Sequence, residues 1–311
     1  MAYELKAGEK LPHAIRRITQ KQVECILSEL SHQRPGHTEK AIHEARKDLK
    51  KARAVLRLVR NELGGRVYRR DACRLRNVAH ALATQRDVEA QLKTVEKFLG
   101  RHRGRNIRAA WLKLSRFLRE RRRKLLNQKN GDGKKLTADL CATRRHIKHW
   151  PVDEIKWHDL ACGIRRTYER GLQAFRVAAR ARTPANLHEW RKRVKDLWYQ
   201  SRILKPVQQE AITAFADRLK RLSDYLGDEH DLFMIEESAK NAGLDCGELE
   251  AVSRLVCTHR AKLQEQAFEL GRRLYSEKSS EFAARIERYG KAACRQWADG
   301  GSKNAKNHQN Q

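Results

Sequence analysis

The chain has 311 residues, of which 68 are Lys or Arg and 38 are Asp or Glu, so its formal net charge is +30. That surplus is larger than solubility requires and indicates a polyanionic partner. No apolar run of about 18 residues occurs, and the first ten residues contain Glu4, Lys6, Glu9 and Lys10. We therefore expect neither a membrane-spanning helix nor a secretory signal.

The seven cysteines are dispersed and show no spacing typical of a zinc site. We therefore expect reduced thiols in a cytoplasmic protein, with no metal and no cofactor. Five prolines, 6% aromatic residues and long runs of Ala, Leu, Arg, Lys and Glu favour helices over strands. The predicted fold class is all-α.

In chain order, a short N-terminal segment at 1–10 precedes a first half at 11–128. Its helices are predicted from apolar spacing and chain breakers, at 11–31, 38–63, 66–99 and 105–128. Glycine and proline stop helices and form turns, and they mark the breaks here at Arg34-Pro35-Gly36, Gly64-Gly65, Gly100 and Gly104.

A polar, glycine-containing stretch begins a predicted linker at 129–152. The second half, 153–297, is predicted to hold helices at 153–181, 184–204, 208–241, 247–275 and 279–297. The tail at 298–311 is expected to be disordered. In helix number and loop length, each half is similar to a four-helix bundle.

Two stretches share the pattern H-E-x-R-K-x-x-K, at residues 43–50 and 188–195. A later block aligns Asp87 with Asp231, and an earlier one aligns Ile15-Arg16-Arg17 with Ile164-Arg165-Arg166. Three matched blocks in the same order indicate an internal duplication.

Winding the helix after Thr38 at about 100° per residue places its apolar residues on one face and its cations on the other. We call these cations the first basic stripe: His43, Arg46, Lys47, Lys50, Arg53 and Arg57. The second basic stripe consists of His188, Arg191, Lys192, Lys195 and Arg202, with Tyr199 on the same face. Like charges one helical turn apart repel each other, so each stripe favours a bound anion. A solvated face is the alternative, but it gives no reason for the same residue order to occur twice.

The residue types suit phosphate, since Arg offers a planar fork, Lys a point charge and His a donor from either ring nitrogen. Cations one helical turn apart would meet successive phosphates of a linear polymer, and the duplication suggests that the two stripes converge. Weaker candidates for the same role are Arg16, Arg17, Arg74, Arg76, Arg165, Arg166, Arg218, Lys220 and Tyr199.

Other roles are open for individual motif residues. For His43 and His188 the alternatives are backbone contacts at a helix start or metal ligation, but no partner pattern for a metal accompanies them. Glu44 and Glu189 are expected to form ion pairs or to compensate the helix dipole. The aligned aspartates of the later block are expected to cap a broken helix or to orient an arginine from outside the site.

Through the two H-E-x-R-K-x-x-K motifs, the chain resembles the CHAD family, the conserved-histidine α-helical domain. Residues 82–87 (LATQRD) and 226–231 (LGDEHD) are similar to that family's Leu-Gly-x-x-Arg-Asp element, from which Ala83 and His230 depart. The resemblance covers nearly the whole chain. It implies two four-helix bundles related by a pseudo-twofold axis, whose basic helices face a central groove or pore that binds inorganic polyphosphate without catalysis.

CHAD domains often follow a triphosphate-tunnel domain of the CYTH type, whose signature of alternating glutamates is not found here. The segment 1–10 is too short to hold that domain, so a stand-alone CHAD protein is expected. Association with polyphosphate granules in the cytoplasm is what the resemblance implies for its location.

The main rival is a nonspecific RNA- or DNA-binding protein, because a pI near 10.3 meets the same electrostatic criterion. Few aromatic residues accompany the stripes, and no base-reading motif is visible. A polyphosphatase or phosphotransferase would need a carboxylate cluster, a P-loop or a nucleophile, and the segment 131–135 (GDGKK) lacks the P-loop spacing. We therefore predict no catalytic residue. The sequence leaves the oligomeric state open.

Overall fold

The structure is a computed structural model. It describes the backbone of residues 3–31, 38–82, 84–101, 104–127 and 133–308, and their side chains outside 38–39, 84–87, 101, 105–106, 126–127 and 300–308. The α-helices are α1 (Leu11–Ser31), α2 (Thr38–Leu58), α3 (Arg60–Ala81), α4 (Thr84–Arg101), α5 (Arg105–Asn127), α6 (Gly133–Ile147), α7 (Trp157–Arg180), α8 (Pro184–Ile203), α9 (Gln209–Ala239), α10 (Cys246–Leu274) and α11 (Ser279–His308). A 3-10 turn, Lys205–Val207, joins α8 to α9, and no strand occurs in these ranges. The predicted all-α class is confirmed.

The inward faces of the two motif helices are those that the apolar spacing predicts. All the predicted inward residues of α2 and the start of α3 are buried, namely Ala45, Leu49, Ala52, Val55, Leu56, Val59 and Leu63. Ala41, Ile42, Ala54 and Leu58 of α2 are buried as well. Those of α8 and the residue after it include Trp190, Val194, Leu197 and Leu204. Burial of this apolar face orients each motif helix, so the opposite face is left for the cations.

The buried side chains form two cores, and both cores draw on both halves of the chain. The larger core joins α1, α2, α3 and α6 to α7, α8, α11 and parts of α9 and α10. The smaller core joins α4 and α5 to the end of α9 and the start of α10. Each half was predicted as a bundle of its own, but neither core belongs to one half alone.

The packing partners recur in the two halves. Helix α1 packs on α2 and α6, as α7 packs on α8 and α11, and the pair α4 and α5 corresponds to α9 and α10. The halves meet directly where α7 crosses the end of α2. A Cβ at Gly163 would lie 2.0 Å from the carbonyl oxygen of Leu58, so only glycine fits this crossing. This order of contacts is compatible with the duplication, which stays a prediction.

The predicted helix at 66–99 is two helices, α3 and α4, whereas its counterpart α9 is continuous. The chain also breaks near the predicted Gly64-Gly65 position, since Gly64 has φ 70° and ψ 161° within α3. This left-handed φ favours glycine. Residues 81–84 (ALAT) contain no glycine or proline, so no chain breaker marks the division into α3 and α4.

The predicted linker at 129–152 is not an open connection, because it contains α6. Leu140, Thr143 and Ile147 are buried on one face of α6, which packs against α1 and α3. Trp150 follows it into the larger core, where its indole nitrogen donates to Asp71 at 2.9 Å. Helix α6 was missed from the sequence because the glycines near residue 131 indicated a linker, although the buried residues of α6 recur every three and four positions.

The last helix, α11, continues to His308, whereas the sequence predicted its end at 297 and disorder from 298. Residues 309–311 lie outside the described part. No helix within the described ranges is long and apolar enough to cross a membrane.

Candidate anion-binding site

A cavity of about 290 Å³ lies between α2, α4, α8 and α9. We call it the histidine cavity. Its lining residues are Arg46, Lys50, Ala90, His188, Arg191, Lys192, Lys195, His230, Asp231 and Met234. Cations of the first stripe and of the second stripe therefore line one space, as the convergence hypothesis expects.

The charge of the histidine cavity is strongly positive. Among its described lining residues, five are Arg or Lys and one, Asp231, carries a carboxylate. Arg46, Lys50, Arg191 and Lys195 are partly buried, while Lys192 is exposed. Partial burial lowers the local dielectric constant, so these cations repel one another more than they would at an open surface.

The two motif arginines are held at matching places. Arg46 Nη1 donates to the carbonyl oxygen of Leu82, just after α3. The guanidinium of Arg191 lies against α9, where a Cβ at Gly227 would be 3.2 Å from Nη2. Leu82 aligns with Leu226, so each arginine reaches the Leu-Gly/Ala element of its own repeat. This contact gives a physical reason for the two sequence elements to occur together.

Two imidazole rings face each other in the cavity. The ring centroids of His188 and His230 are 4.6 Å apart, with an angle of 43° between the planes. His230 departs from the Leu-Gly-x-x-Arg-Asp pattern, yet it supplies a donor to the same wall. His230 was not among the predicted site residues, although its position within that element is a signal that could have pointed to it.

Of the two aligned aspartates, Asp87 and Asp231, the structure describes the side chain of Asp231 only. Asp231 lines the cavity itself and lies inside the continuous helix α9, so it does not cap a broken helix. The expectation that it lies outside the site is wrong. The side chains of Asp87 and Arg86 lie outside the described residues.

Some residues of the first stripe do not reach the histidine cavity. His43 is exposed and is absent from its lining. Lys47 also points elsewhere, because its ammonium pairs with Glu44 at 2.6 Å. Glu189 pairs in the same way with Lys192 at 3.5 Å and also with Arg193. The ion pairs predicted for the motif glutamates are confirmed.

Arg53 and Arg57 line a different space, which we call the arginine cavity. It has a volume of about 360 Å³ and lies between α2, α3, α7 and α8. Its lining residues are Arg53, Leu56, Arg57, Tyr68, Ala72, Arg76, Arg170 and Arg193. The two cavities share no lining residue. Arg170 and Arg193 were missed by the sequence analysis, since they lie outside both stripes.

The end of the second stripe is covered. Tyr199 is only 6% exposed and packs edge-on against Tyr3 at 6.4 Å, so its predicted place on the basic face is wrong. The guanidinium of Arg202 lies over the rings of Tyr3 and Trp198, at 5.6 and 5.3 Å. The N-terminal segment folds back here, which a helical wheel cannot show.

Most of the weaker candidates support the fold rather than a cavity. Arg16 pairs with Asp153 at 2.9 Å, and Arg17 pairs with Glu9 at 2.6 Å. Arg74 reaches Asp71 and the ring of His146. The remaining contacts are Arg165 to Glu169, Arg166 to the carbonyl of Arg57, and Lys220 to Asp224, while Arg218 is exposed. Of this group only Arg76 lines a cavity described here.

Among the described residues, no group of three or more His, Cys, Asp or Glu side chains is placed to hold a metal ion. The histidine cavity presents hydrogen-bond donors and positive charge to whatever enters it. Its chemistry is therefore that of an anion-binding site.

Comparison with known families gives one match, to the model of the CHAD domain, over residues 17–240. The matched range contains both H-E-x-R-K-x-x-K motifs and every residue that lines the two cavities. No curated protein matches the chain.

Proposed function

Because this chain belongs to the CHAD family, we propose that it binds inorganic polyphosphate in the histidine cavity and does not catalyse a reaction. The observation that carries this proposal is that Arg46 and Lys50 of one motif line the same cavity as Arg191 and Lys195 of the other. A chain of phosphates entering there would meet cations from opposite walls.

The arrangement favours a flexible polyanion over a single small acid. Arg46 and Arg191 are set by contacts with neighbouring helices, so their forks are ordered before a ligand arrives. The lysines add point charges that tolerate a change of register along the polymer. Binding would release counterions, so affinity should fall steeply with salt.

Nucleic acid is a weaker partner in this proposal. A backbone of phosphodiesters carries less charge per unit length than polyphosphate, and its bases need aromatic surfaces for stacking. The described residues that line the histidine cavity include two imidazoles and no Phe, Tyr or Trp. We therefore propose nonspecific binding of RNA or DNA at most, and we place the protein in the cytoplasm at polyphosphate granules.

The test is calorimetric titration of long-chain polyphosphate and of an RNA matched in total charge, at near-physiological salt. The variant Lys50→Gln with Lys195→Gln removes one charge from each wall of the histidine cavity. A matched control, Arg116→Gln with Arg123→Gln, removes two exposed charges on α5. We expect the first variant to weaken polyphosphate binding by about tenfold or more and the control to change it little.

Two outcomes would count against the proposal. Equal weakening by both double variants would mean that only the overall charge matters. RNA bound as tightly as polyphosphate, with the same dependence on Lys50 and Lys195, would make nucleic acid the principal ligand.

A further inference from the structure

The arginine cavity brings together five guanidinium groups from four helices. Arg53 and Arg57 come from α2, and Arg76, Arg170 and Arg193 come from α3, α7 and α8. Both halves of the chain therefore contribute, as they do to the histidine cavity. The remaining lining residues are Tyr68, Leu56 and Ala72, so none of the described lining residues carries a carboxylate.

The charge of this cluster is only partly balanced. Asp196 accepts from Arg57 at 2.8 Å and from Arg193 at 3.4 Å, and Arg193 also pairs with Glu189. Within the part of the chain that the structure describes, Arg53, Arg76 and Arg170 form no ion pair. Three guanidinium groups thus line the cavity without a direct ion pair among the described residues, although the charge of Asp196 also acts on Arg53 and Arg170.

The clustering has an electrostatic cost. Burial, together with the neighbouring Arg57, lowers the pKa of Arg53 to about 10. Burial and the charge of Arg193 also lower the pKa of Arg170. Both groups still carry their charge at neutral pH, so a bound anion would relieve their mutual repulsion.

We propose that the arginine cavity is a second anion site, separate from the histidine cavity, and that it binds a compact phosphate group. That group is either the terminal phosphate of a polyphosphate chain or a free short oligophosphate such as pyrophosphate. The inference does not require that the histidine cavity binds polyphosphate.

Phosphate fits this cavity better than a carboxylate. Each guanidinium presents a planar pair of donors, and here such donors approach from four helices. A carboxylate has two oxygens in one plane, so it satisfies only one or two forks. A tetrahedral phosphate has oxygens on all sides, and a volume of about 360 Å³ has room for one or a few such groups.

The test is calorimetric titration of pyrophosphate into the full chain and its variants. Arg76→Gln with Arg170→Gln removes two cations that have no ion pair within the described structure, so folding should be preserved and is checked by thermal unfolding. We expect the dissociation constant to rise by about tenfold or more. Arg76→Lys with Arg170→Lys keeps the charge and loses the forks, and we expect an intermediate value.

Two controls separate this site from the rest of the molecule. Arg116→Gln with Arg123→Gln removes two charges that are exposed like Arg76 and Arg170 but line neither cavity, and it should leave the pyrophosphate affinity unchanged. Arg76→Lys with Arg170→Lys is the second control, since it keeps the charge. The inference is overturned if the variant of Arg76 and Arg170 binds pyrophosphate like the wild type. It is also overturned if the exposed pair weakens binding equally.

Long-chain polyphosphate distinguishes the two sources of the ligand. The cavity is assigned to the terminal phosphate if the Arg76 and Arg170 variant loses affinity for both pyrophosphate and long chains. In that case the amount of long-chain ligand bound at this site in the wild type should follow the concentration of chain ends. Loss for pyrophosphate alone would assign it to free short oligophosphates. Failure of the histidine-cavity proposal would appear separately, as long-chain binding that is insensitive to Lys50 and Lys195.

Discussion

The arginine cavity is open, whereas the region that aligns with it in the other repeat is filled by aromatic side chains. Arg53 aligns with Trp198, while Arg57 and Arg76 align with Arg202 and Lys220. In the first region the cations surround a space of about 360 Å³. In the second, the indole of Trp198 lies under Arg202 at 5.3 Å and under Lys220 at 5.9 Å. Aromatic rings thus take the place that an anion would take.

The same comparison shows a reversed ion pair. Asp196 and Arg193 on α8 align with Lys51 and Asp48 on α2, so the acid and the base exchange positions. Both pairs form, at 3.4 Å in α8 and 2.6 Å in α2. Tyr3 then closes the second region from outside, with its hydroxyl donating to the carbonyl of Lys51 at 3.2 Å. Similar backbones therefore give an open basic cavity in one place and a sealed contact in the other.

The largest effect is expected when Arg53 in the open cavity is replaced by tryptophan, the residue at the aligned position 198 of the closed region. Arg53→Trp places an indole among the other arginines and removes a cation. We expect the affinity for pyrophosphate to fall by at least about tenfold, because both space and charge are lost. Calorimetry measures it, with Arg53→Gln as a control that removes the charge but leaves the space. Unchanged binding by the Trp variant would show that Arg53 does not mark the site.

Removing the cover of the closed region should cost stability. Tyr3 is 5% exposed and packs on Tyr199, so Tyr3→Ala leaves a cavity beside the larger core. We expect the free energy of unfolding to fall by about 3 kcal/mol. Denaturant unfolding measures it, and Tyr3→Phe, which loses only the hydrogen bond to Lys51, should cost about 1 kcal/mol. Equal stability of Tyr3→Ala and wild type would mean that the N-terminal segment does not seal this region.

Asp196 of the second half pairs with Arg57 of the first half, and its substitution tests how far this acid reduces the positive charge of the arginine cavity. Asp196→Asn removes the acid that Arg57 and Arg193 share, while Arg193 keeps its ion pair with Glu189. We expect pyrophosphate binding to tighten several-fold while stability falls by about 2 kcal/mol. The matched control is Asp48→Asn, which breaks the aligned pair with Lys51. We expect it to lower stability in the same way and to leave anion binding unchanged. Weaker binding by Asp196→Asn would indicate that the acid only positions the arginines.

The smallest effect is expected at the ion pair between Arg17 and Glu9, which holds the N-terminal segment that carries Tyr3. Arg17 donates two hydrogen bonds of 2.6 Å to Glu9, and this lowers the pKa of the Glu9 carboxyl. The stabilisation is therefore present at neutral pH and is lost as the pH falls through the lowered pKa. Glu9→Gln should reduce the free energy of unfolding by about 1 kcal/mol at neutral pH. Unfolding curves as a function of pH should converge below about pH 4, and a constant difference would exclude the ion pair as the cause.

The sequence predicted those features that depend on local periodicity. The inward faces of α2 and α8, the helix start at Pro184 and the all-α class all follow from apolar spacing and breakers. The duplication hypothesis also suggested that Arg46 and Lys50 meet residues of the second motif, and these residues line one cavity. Each of these depends on residues within one helix or on a repeated pattern.

What the sequence did not predict depends on how helices cross. Arg53 follows Lys50 by less than one turn, yet the crossing of α2 with α8, where Gln200 donates to the carbonyl of Ala54 at 3.1 Å, assigns them to different cavities. Helical periodicity contains no crossing angle. For the same reason Arg170 on α7 could not be connected with the stripe residues. The burial of Tyr199 depends on a terminal segment distant in sequence.

Because both cores contain residues of both halves, cutting the chain between the halves would divide each core. A fragment that ends before α7 would keep α4 and α5 without their partners α9 and α10, and α2 without α8. Each fragment would expose half of two apolar interfaces and would hold only one wall of each cavity. Such a fragment could become native-like only by pairing with a second copy, so its folding would depend on concentration, whereas the joined chain folds independently of it.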